Sequence, residues 1–356
     1  MTLDDLDALV RVDRHDTRRV LADFPEQCRR ALGLLASPPI RIGRPRVVVL
    51  VGMGGSAAGA DLLAACAAET LDVPILVHRG YGLPAAAAGC DALVIASSYS
   101  GETVEVVSAV EVALGRGLPV VAITSGGVLG ELAARHGLPR VTLPDGLMPR
   151  MAFGYLVFPA LAALSTCGAP VASAADVEEA LQVVTAAAAD LRPEAVTDKN
   201  EAKRLALAIG RRLPVVYGGQ LTGAVAYRWK TDLEENAKRL ALAGALPEMN
   251  HNEIEVWGGA AARDLHAVLL REDGESAEIA RRFTLVRELL GPAAGGVSEV
   301  WARGRGRLAR LVSLVYLGQW VSYYAAMLAG TDPWPVPMLT EVKRRLSAPA
   351  REPSSP

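Results

Sequence analysis

Short, unbroken apolar runs alternate with amphipathic stretches through the first half of the chain. Arg46-Val-Val-Val-Leu-Val51, Asp91-Ala-Leu-Val-Ile-Ala96 and Pro119-Val-Val-Ala-Ile-Thr124 read as strands buried on both faces, with further strands at Ile75–His78 and Arg140–Leu143. The spacing between them predicts helices from the glycine turn at 52–59 to about Glu69, from Val104 to Gly115 and from about Leu129 to His136. Such alternation implies a parallel sheet covered on both faces, with ligands collected at the carboxyl ends of its strands.

Residues 1–45 read as an N-terminal helical arm, helical from Asp16 to Leu35 and stopped by Pro38-Pro39. A first α/β domain is expected over 46–168 and a helical linker over 169–200, containing the Ala-rich stretch Ala174–Leu191. A second α/β domain follows over 201–347, and 348–356 reads as a disordered tail of Pro, Ser and charge. In the second domain Arg212-Leu-Pro-Val-Val-Tyr217, a Gly218-Gly219 pair and a helix repeat the opening of the first, about 165 residues further on, which implies a duplicated unit. The second half then predicts a helix from Arg228 to Leu242, a loop from Gly244 to Ile254, a strand from His266 to Leu270 and a helix from Ala277 to Leu290. The fold class is therefore α/β: two tandem doubly wound parallel-sheet domains, flavodoxin-like or Rossmann-like, behind a helical arm.

Composition narrows the possibilities. With 51% hydrophobic and 21% charged residues the chain can bury large cores, and a net charge of −2 supplies no basic field for nucleic acid. Cys28, Cys66, Cys90 and Cys167 lack Cys-x-x-Cys spacing and read as reduced, and the acidic N-terminus carries no secretory pattern, so a cytoplasmic protein is expected. Leu311–Gly330 is uncharged and long enough to span a bilayer, but its Ser, Gln and Tyr residues fit a buried helix better, so no membrane partner is expected.

Two turns carry candidate chemistry. Ser97-Ser98-Tyr99-Ser100-Gly101-Glu102-Thr103 joins a buried strand to a helix start, where hydroxyls and unpaired N–H groups together make a seat for phosphate. The alternative is an ordinary hydroxyl helix cap. Gly52-Met-Gly54-Gly55-Ser56-Ala57, after the first buried strand, also fits a dinucleotide fingerprint. The next strand ends His78-Arg79 with no acid for a ribose, an arginine being compatible with NADP, and a nucleotide would leave the hydroxyl turn unassigned. A glycine turn needed only for close packing is the third reading.

Ser98-Tyr-Ser-Gly-Glu-Thr103 resembles the phosphosugar loop of the sugar isomerase (SIS) superfamily, and Gly54-Gly55-Ser56 resembles its first loop. The resemblance gives Ser98, Ser100 and Thr103 the phosphate, and brings Gly54, Gly55 and Ser56 close to the sugar. Trp229-Lys-Thr-Asp-Leu-Glu-Glu-Asn-Ala-Lys238, Leu246-Pro-Glu-Met-Asn-His-Asn-Glu-Ile254, Met148-Pro-Arg-Met-Ala-Phe-Gly-Tyr155 and Phe24-Pro-Glu-Gln27 resemble the bifunctional phosphoglucose/phosphomannose isomerases, covering the chain from about residue 20 to 346. The resemblance implies two SIS domains and interconversion of glucose 6-phosphate, and of mannose 6-phosphate, with fructose 6-phosphate through a cis-enediolate.

By the same resemblance Glu235 moves the proton between C1 and C2, His251 opens the ring, Arg150 stabilises the enediolate, and Lys343 joins ring opening or binds substrate oxygens. The isomerase half of glucosamine-6-phosphate synthase shows the same acid-to-histidine spacing, which favours Glu235 over Glu234. The family's histidine comes from the partner subunit, which implies a homodimer with shared sites. Taken singly, each residue has a plain alternative: Glu235 a solvated helix carboxylate, Lys343 a surface charge, His251 a turn former, Arg150 an ion-pair partner. Their order along the chain, together with a phosphate loop, argues for the joint role. Glu248 reads as a supporting carboxylate beside His251, and His15, His78, His136 and His266 as structural or exposed. No metal-ligand spacing occurs, and enediolate chemistry calls for no cofactor or metal.

Two departures stand out. Glu102 replaces the Asn of many relatives, though other SIS enzymes carry Glu there. Trp334 is bulky where dual-specificity members often have a smaller polar residue, which puts mannose activity in question more than glucose activity. The competing functions are a non-catalytic sugar-phosphate sensor, disfavoured by the joint presence of the four candidate residues and the absence of a DNA-binding module, and an NAD(P) oxidoreductase.

Overall fold

The computed structural model describes residues 2–87 and 91–346. Cys90 and the 348–356 tail, on which the sequence reading also spoke, lie outside the described residues. Among the described residues ten strands form two sheets: β1 Ala36–Ser37, β2 Val47–Val51, β3 Ile75–His78, β4 Ala92–Ser97, β5 Val120–Thr124, β6 Arg140–Thr142, β7 Leu213–Gly218, β8 Leu242–Ala245, β9 Leu265–Arg271 and β10 Gly296–Trp301. The first sheet runs β1-β6-β5-β4-β2-β3, parallel except for β1; the second runs β10-β9-β7-β8, all parallel. In each half the first long strand lies between the second and the third, so the strand order repeats and the duplication is topological. The crevice where strand order reverses lies between β2 and β4, paired so that Val51 faces Ala96 at their carboxyl ends.

Alternation along the strands explains how the halves join. Val48, Leu50, Leu93, Ile95, Val121 and Ile123 point into one core, while Val47, Val49, Val51, Val94, Ala96 and Ala122 point into another. The first of these cores also takes Val216, Val268 and Leu270 from the second sheet. Both sheets thus bury one face in a common interior, and the second sheet's other face, with Val215, Tyr217 and Leu269, closes a third core.

The shared interior is filled by the Arg307–Leu328 helix, whose residues from Leu311 to Met327 are all buried; the long uncharged run is a core helix packed against protein. It lies on the Gly223–Ala237, Ala174–Leu191 and Glu201–Ile209 helices. Trp229 donates its indole N–H to the Leu314 carbonyl at 2.8 Å. Gly318 makes that contact possible, because a methyl there would stand 2.2 Å from the indole nitrogen.

Three local expectations are corrected. The 16–35 segment is two helices, Thr17–Ala22 and Phe24–Leu32, broken before Pro25, which has no N–H to continue the first. The helix expected to reach Leu242 ends at Ala237, because Lys238 turns into the left-handed region with φ of 51°. Leu242–Ala245, read as part helix and part loop, is the edge strand β8, and β1 and β10 are further edge strands whose short or partly exposed residues lack an apolar run.

Gly318→Ala should cost about 1–3 kcal/mol through overpacking against Trp229. A urea midpoint shifted down with an unchanged slope would register it; an unshifted midpoint would mean the indole can move aside.

Candidate active site

The two turns singled out in the sequence meet at the reversal crevice. After β4, Ser98 is buried, and its hydroxyl lies 2.8 Å from that of Thr103 while accepting the Gly101 N–H. Ser100, half-buried, accepts the Glu102 N–H at 3.3 Å. Gly101 takes φ of +75°, and a methyl on it would collide with the Gly126 carbonyl, so this tight turn excludes other residues. Thr103 spends its hydroxyl on Ser98 rather than on its own helix, Val104–Gly115, leaving that helix's first N–H groups uncapped by it. Glu102, the departure from the common Asn, accepts the Val128 N–H at the start of the next helix.

After β2, Gly54 adopts φ of +51° and opens the Gly54–Ala67 helix, with Ser56 buried in its first turn. A methyl on Gly55 would sit 3.0 Å from the Arg150 nitrogen and from the Pro149 carbonyl. The glycine loop therefore presses directly on the backbone that carries Arg150. Arg79, the residue that kept an NADP reading open, pairs with Asp61 of the same helix and donates to the Ala57 carbonyl.

Arg150 is 2% exposed and its fork is almost fully used. Nε donates to Asn236 at 2.7 Å, Nη2 to the Pro333 and Trp334 carbonyls at 2.8 and 2.9 Å, and Nη1 lies 3.4 Å from the Glu235 carboxylate. Its own carbonyl accepts from Arg228 at 2.6 Å, and Arg228 is paired with buried Asp232 at 2.7 Å. Burial pulls the guanidinium below its ordinary pKa, an effect opposed by Glu235, and an arginine so placed keeps its charge. Burial also raises the Asp232 carboxyl against the pull of Arg228.

Glu235 stands in the last turn of the Gly223–Ala237 helix, its side chain 24% exposed and facing Arg150. Beyond it, Lys238 donates to the Glu235 carbonyl at 2.7 Å and to the Pro333 carbonyl at 2.9 Å. Burial, then the positive charge of Arg150, push its ammonium down to about 8. Arg150 and Lys238 together clamp the 332–334 strap. From the outer side His15 holds Asp332 at 2.7 Å and stacks on Trp334, with ring centroids 6.4 Å apart.

Among the predicted residues, then, Arg150 and Glu235 are in contact, the Ser98, Ser100 and Thr103 turn lies at the neighbouring strand end, and Gly55 bridges to Arg150. His251, on an exposed turn over Glu248–His251, has no hydrogen bond or ion pair to Glu235 or Arg150 among the described residues. Glu248 bonds Asn252 rather than His251. Lys343 is exposed on the Pro337–Leu346 helix that follows the strap. Sequence reasoning missed Asn236, Arg228, Asp232 and Lys238. They lie at one-, three- and seven-residue offsets from Glu235, but no spacing rule ties Asn236 to a guanidinium 86 residues away, or Arg228 to that arginine's carbonyl.

Residues 198–346 match the family model described as the bacterial phospho-glucose isomerase C-terminal SIS domain, and residues 42–134 match the SIS domain. The bifunctional phosphoglucose/phosphomannose isomerase of Caldicellulosiruptor bescii is 36% identical, over 91% of this chain and 97% of its own. The chain belongs to the bifunctional phosphoglucose/phosphomannose isomerase family. It is an isomerase. The enzyme of the same description from Thermoplasma acidophilum is 33% identical, over 86% of this chain and 92% of its own. In fold, the isomerase resembles a glucose-6-phosphate isomerase like protein from Thermus thermophilus, with a TM-score of 0.61 at 22% identity, covering 97% of this chain and 99% of that one.

Arg150→Lys retains the charge but not the fork, leaving Asn236 and the strap carbonyls short of donors. It should destabilise the fold by about 1–3 kcal/mol, read as a lower urea midpoint. A wild-type midpoint would show that a single ammonium can hold the strap.

Proposed function

We propose that the crevice interconverts glucose 6-phosphate with fructose 6-phosphate, and mannose 6-phosphate more slowly, by proton transfer through a cis-enediolate. The observation that carries this reading is the Arg150–Glu235 contact, set beside a glycine loop that touches the Arg150 backbone and shares the crevice with the hydroxyl turn. The first domain, 46–168, seats the phosphate on Ser98, Ser100 and Thr103. The second domain, 201–347, brings the base. Gly54, Gly55 and Ser56 line the approach of the sugar.

Each group has a task suited to its chemistry. Glu235 is partly exposed, so it can meet a substrate carbon, and it carries the proton between C1 and C2. Of the five N–H donors of Arg150, four go to Asn236, Pro333, Trp334 and Glu235; the fifth, on Nη1, and the fixed positive charge serve the oxygens of the enediolate. The guanidinium is anchored before substrate arrives, so little reorganisation accompanies charge development. Ring opening falls to His251, with Lys343 acting there or on sugar oxygens. No cofactor or metal takes part.

His251 is assigned to the site of the opposite subunit in a homodimer. Exposed apolar side chains support this: Leu240 and Val256 flank the His251 segment, and Met338, Leu339 and Val342 project from the Lys343 helix. The region of C2 is assigned to the 332–334 strap, where the bulk of Trp334 is expected to disfavour the mannose epimer. The isomerase is assigned to the cytoplasm, with a sugar phosphate rather than nucleic acid or membrane as its partner.

Glu235→Gln should leave fructose 6-phosphate binding nearly intact and lower kcat by several orders of magnitude, on the order of what a positioned base supplies. Retained turnover would move the role to Glu234 or Glu248. Mixed dimers of Glu235→Gln and His251→Ala chains should recover part of the activity that either homodimer lacks; no recovery would contradict a site shared between subunits.

A further inference from the structure

The phosphate turn holds one side chain that the proposed chemistry does not use. Tyr99 lies between Ser98 and Ser100, yet its ring is buried at 5% exposure and its hydroxyl reaches the loop before Arg150. The hydroxyl donates to the Pro144 carbonyl at 2.7 Å and accepts the Leu147 N–H at 3.0 Å, closing that loop across its base. The Tyr99 carbonyl is fixed in turn by Ser125, through its N–H at 2.9 Å and its hydroxyl at 2.6 Å. From Leu147 the chain passes through Met148, whose carbonyl accepts the Met151 N–H at 2.8 Å, into the short Pro149–Met151 turn that presents Arg150.

We propose that Tyr99 is a positioning residue that couples the seating of the phosphate group to the placement of Arg150. The Ser98–Ser100 backbone cannot shift around a phosphate without carrying Tyr99, and Tyr99 cannot move without pulling Pro144 and Leu147. Binding energy gained at the non-reacting end of the sugar is thereby applied to the group that stabilises charge at C1 and C2. The coupling rests on the assignment of the phosphate to Ser98, Ser100 and Thr103. It joins the hydroxyl turn to the residues that carry Arg150, separately from the contact that the glycine loop makes with the Arg150 backbone at Gly55.

Tyr99→Phe keeps the buried ring and removes only the tether, so it tests the coupling with little disturbance of the core. Steady-state kinetics, competitive inhibition by inorganic phosphate and the thermal midpoint are measured on the full chain. The expected result is a kcat lowered on the order of tenfold with phosphate inhibition within about threefold of wild type, the split that loss of positioning alone produces. An unchanged kcat overturns the coupling, as does a parallel loss of kcat and phosphate inhibition, which would mean that the hydroxyl merely holds the phosphate turn together. Ser100→Ala combined with Thr103→Ala, in the same assay, should abolish phosphate inhibition. If inhibition survives that pair, the phosphate assignment and the coupling fall together; if only the Tyr99→Phe result fails, the assignment stands and the coupling alone is lost.

Discussion

The buried fork of Arg150 is the constraint around which the crevice is built. A guanidinium at 2% exposure must have its N–H groups satisfied, and here the acceptors come from two separate parts of the chain: Asn236 and Glu235 on one helix, and the Pro333–Trp334 strap. Satisfying one side chain thus locks the first half to the second and fixes the strap that leads to the last helix. The same charge biases its surroundings. It adds to burial in lowering the ammonium of Lys238, and it holds the Glu235 carboxylate facing the guanidinium.

Duplication explains why such a site arises between the halves. Each sheet gives alternate residues of its strands to one shared core, so the halves cannot be separated without exposing it. The helices after the first strand of each half, Gly54–Ala67 and Gly223–Ala237, pack on one another within that arrangement. One brings the glycine loop and the other the carboxylate. The second half has the same strand order, but its corresponding strand end at β9 is occupied by the chain's own charges: Arg271 pairs with Glu275 and Glu299, and Glu272 with Arg310.

Much of this was legible in the sequence, and for physical reasons. Strands buried on both faces leave unbroken apolar runs, so β2, β4, β5 and β7 were readable, while edge strands such as β8 and β10 leave no such trace. The hydroxyl and glycine turns were visible because tight backbone at a strand end demands particular residues, as the conformations of Gly54 and Gly101 show. Arg150 and Glu235 were nameable through family resemblance, but their contact was not, nor was the role of Asn236. Partners that meet through the fold, 86 residues apart, obey no local periodicity. The left-handed turn at Lys238 was equally hidden, since lysine rarely adopts it.

The most direct test of the account is a crystal structure of the protein soaked with fructose 6-phosphate. The account predicts a phosphate bonded to the hydroxyls of Ser98, Ser100 and Thr103, with C1 and C2 about 3–3.5 Å from the Glu235 carboxylate and a C1 or C2 oxygen facing Arg150 Nη1. A sugar phosphate bound in another cavity, or one whose first two carbons point away from Glu235, would contradict it.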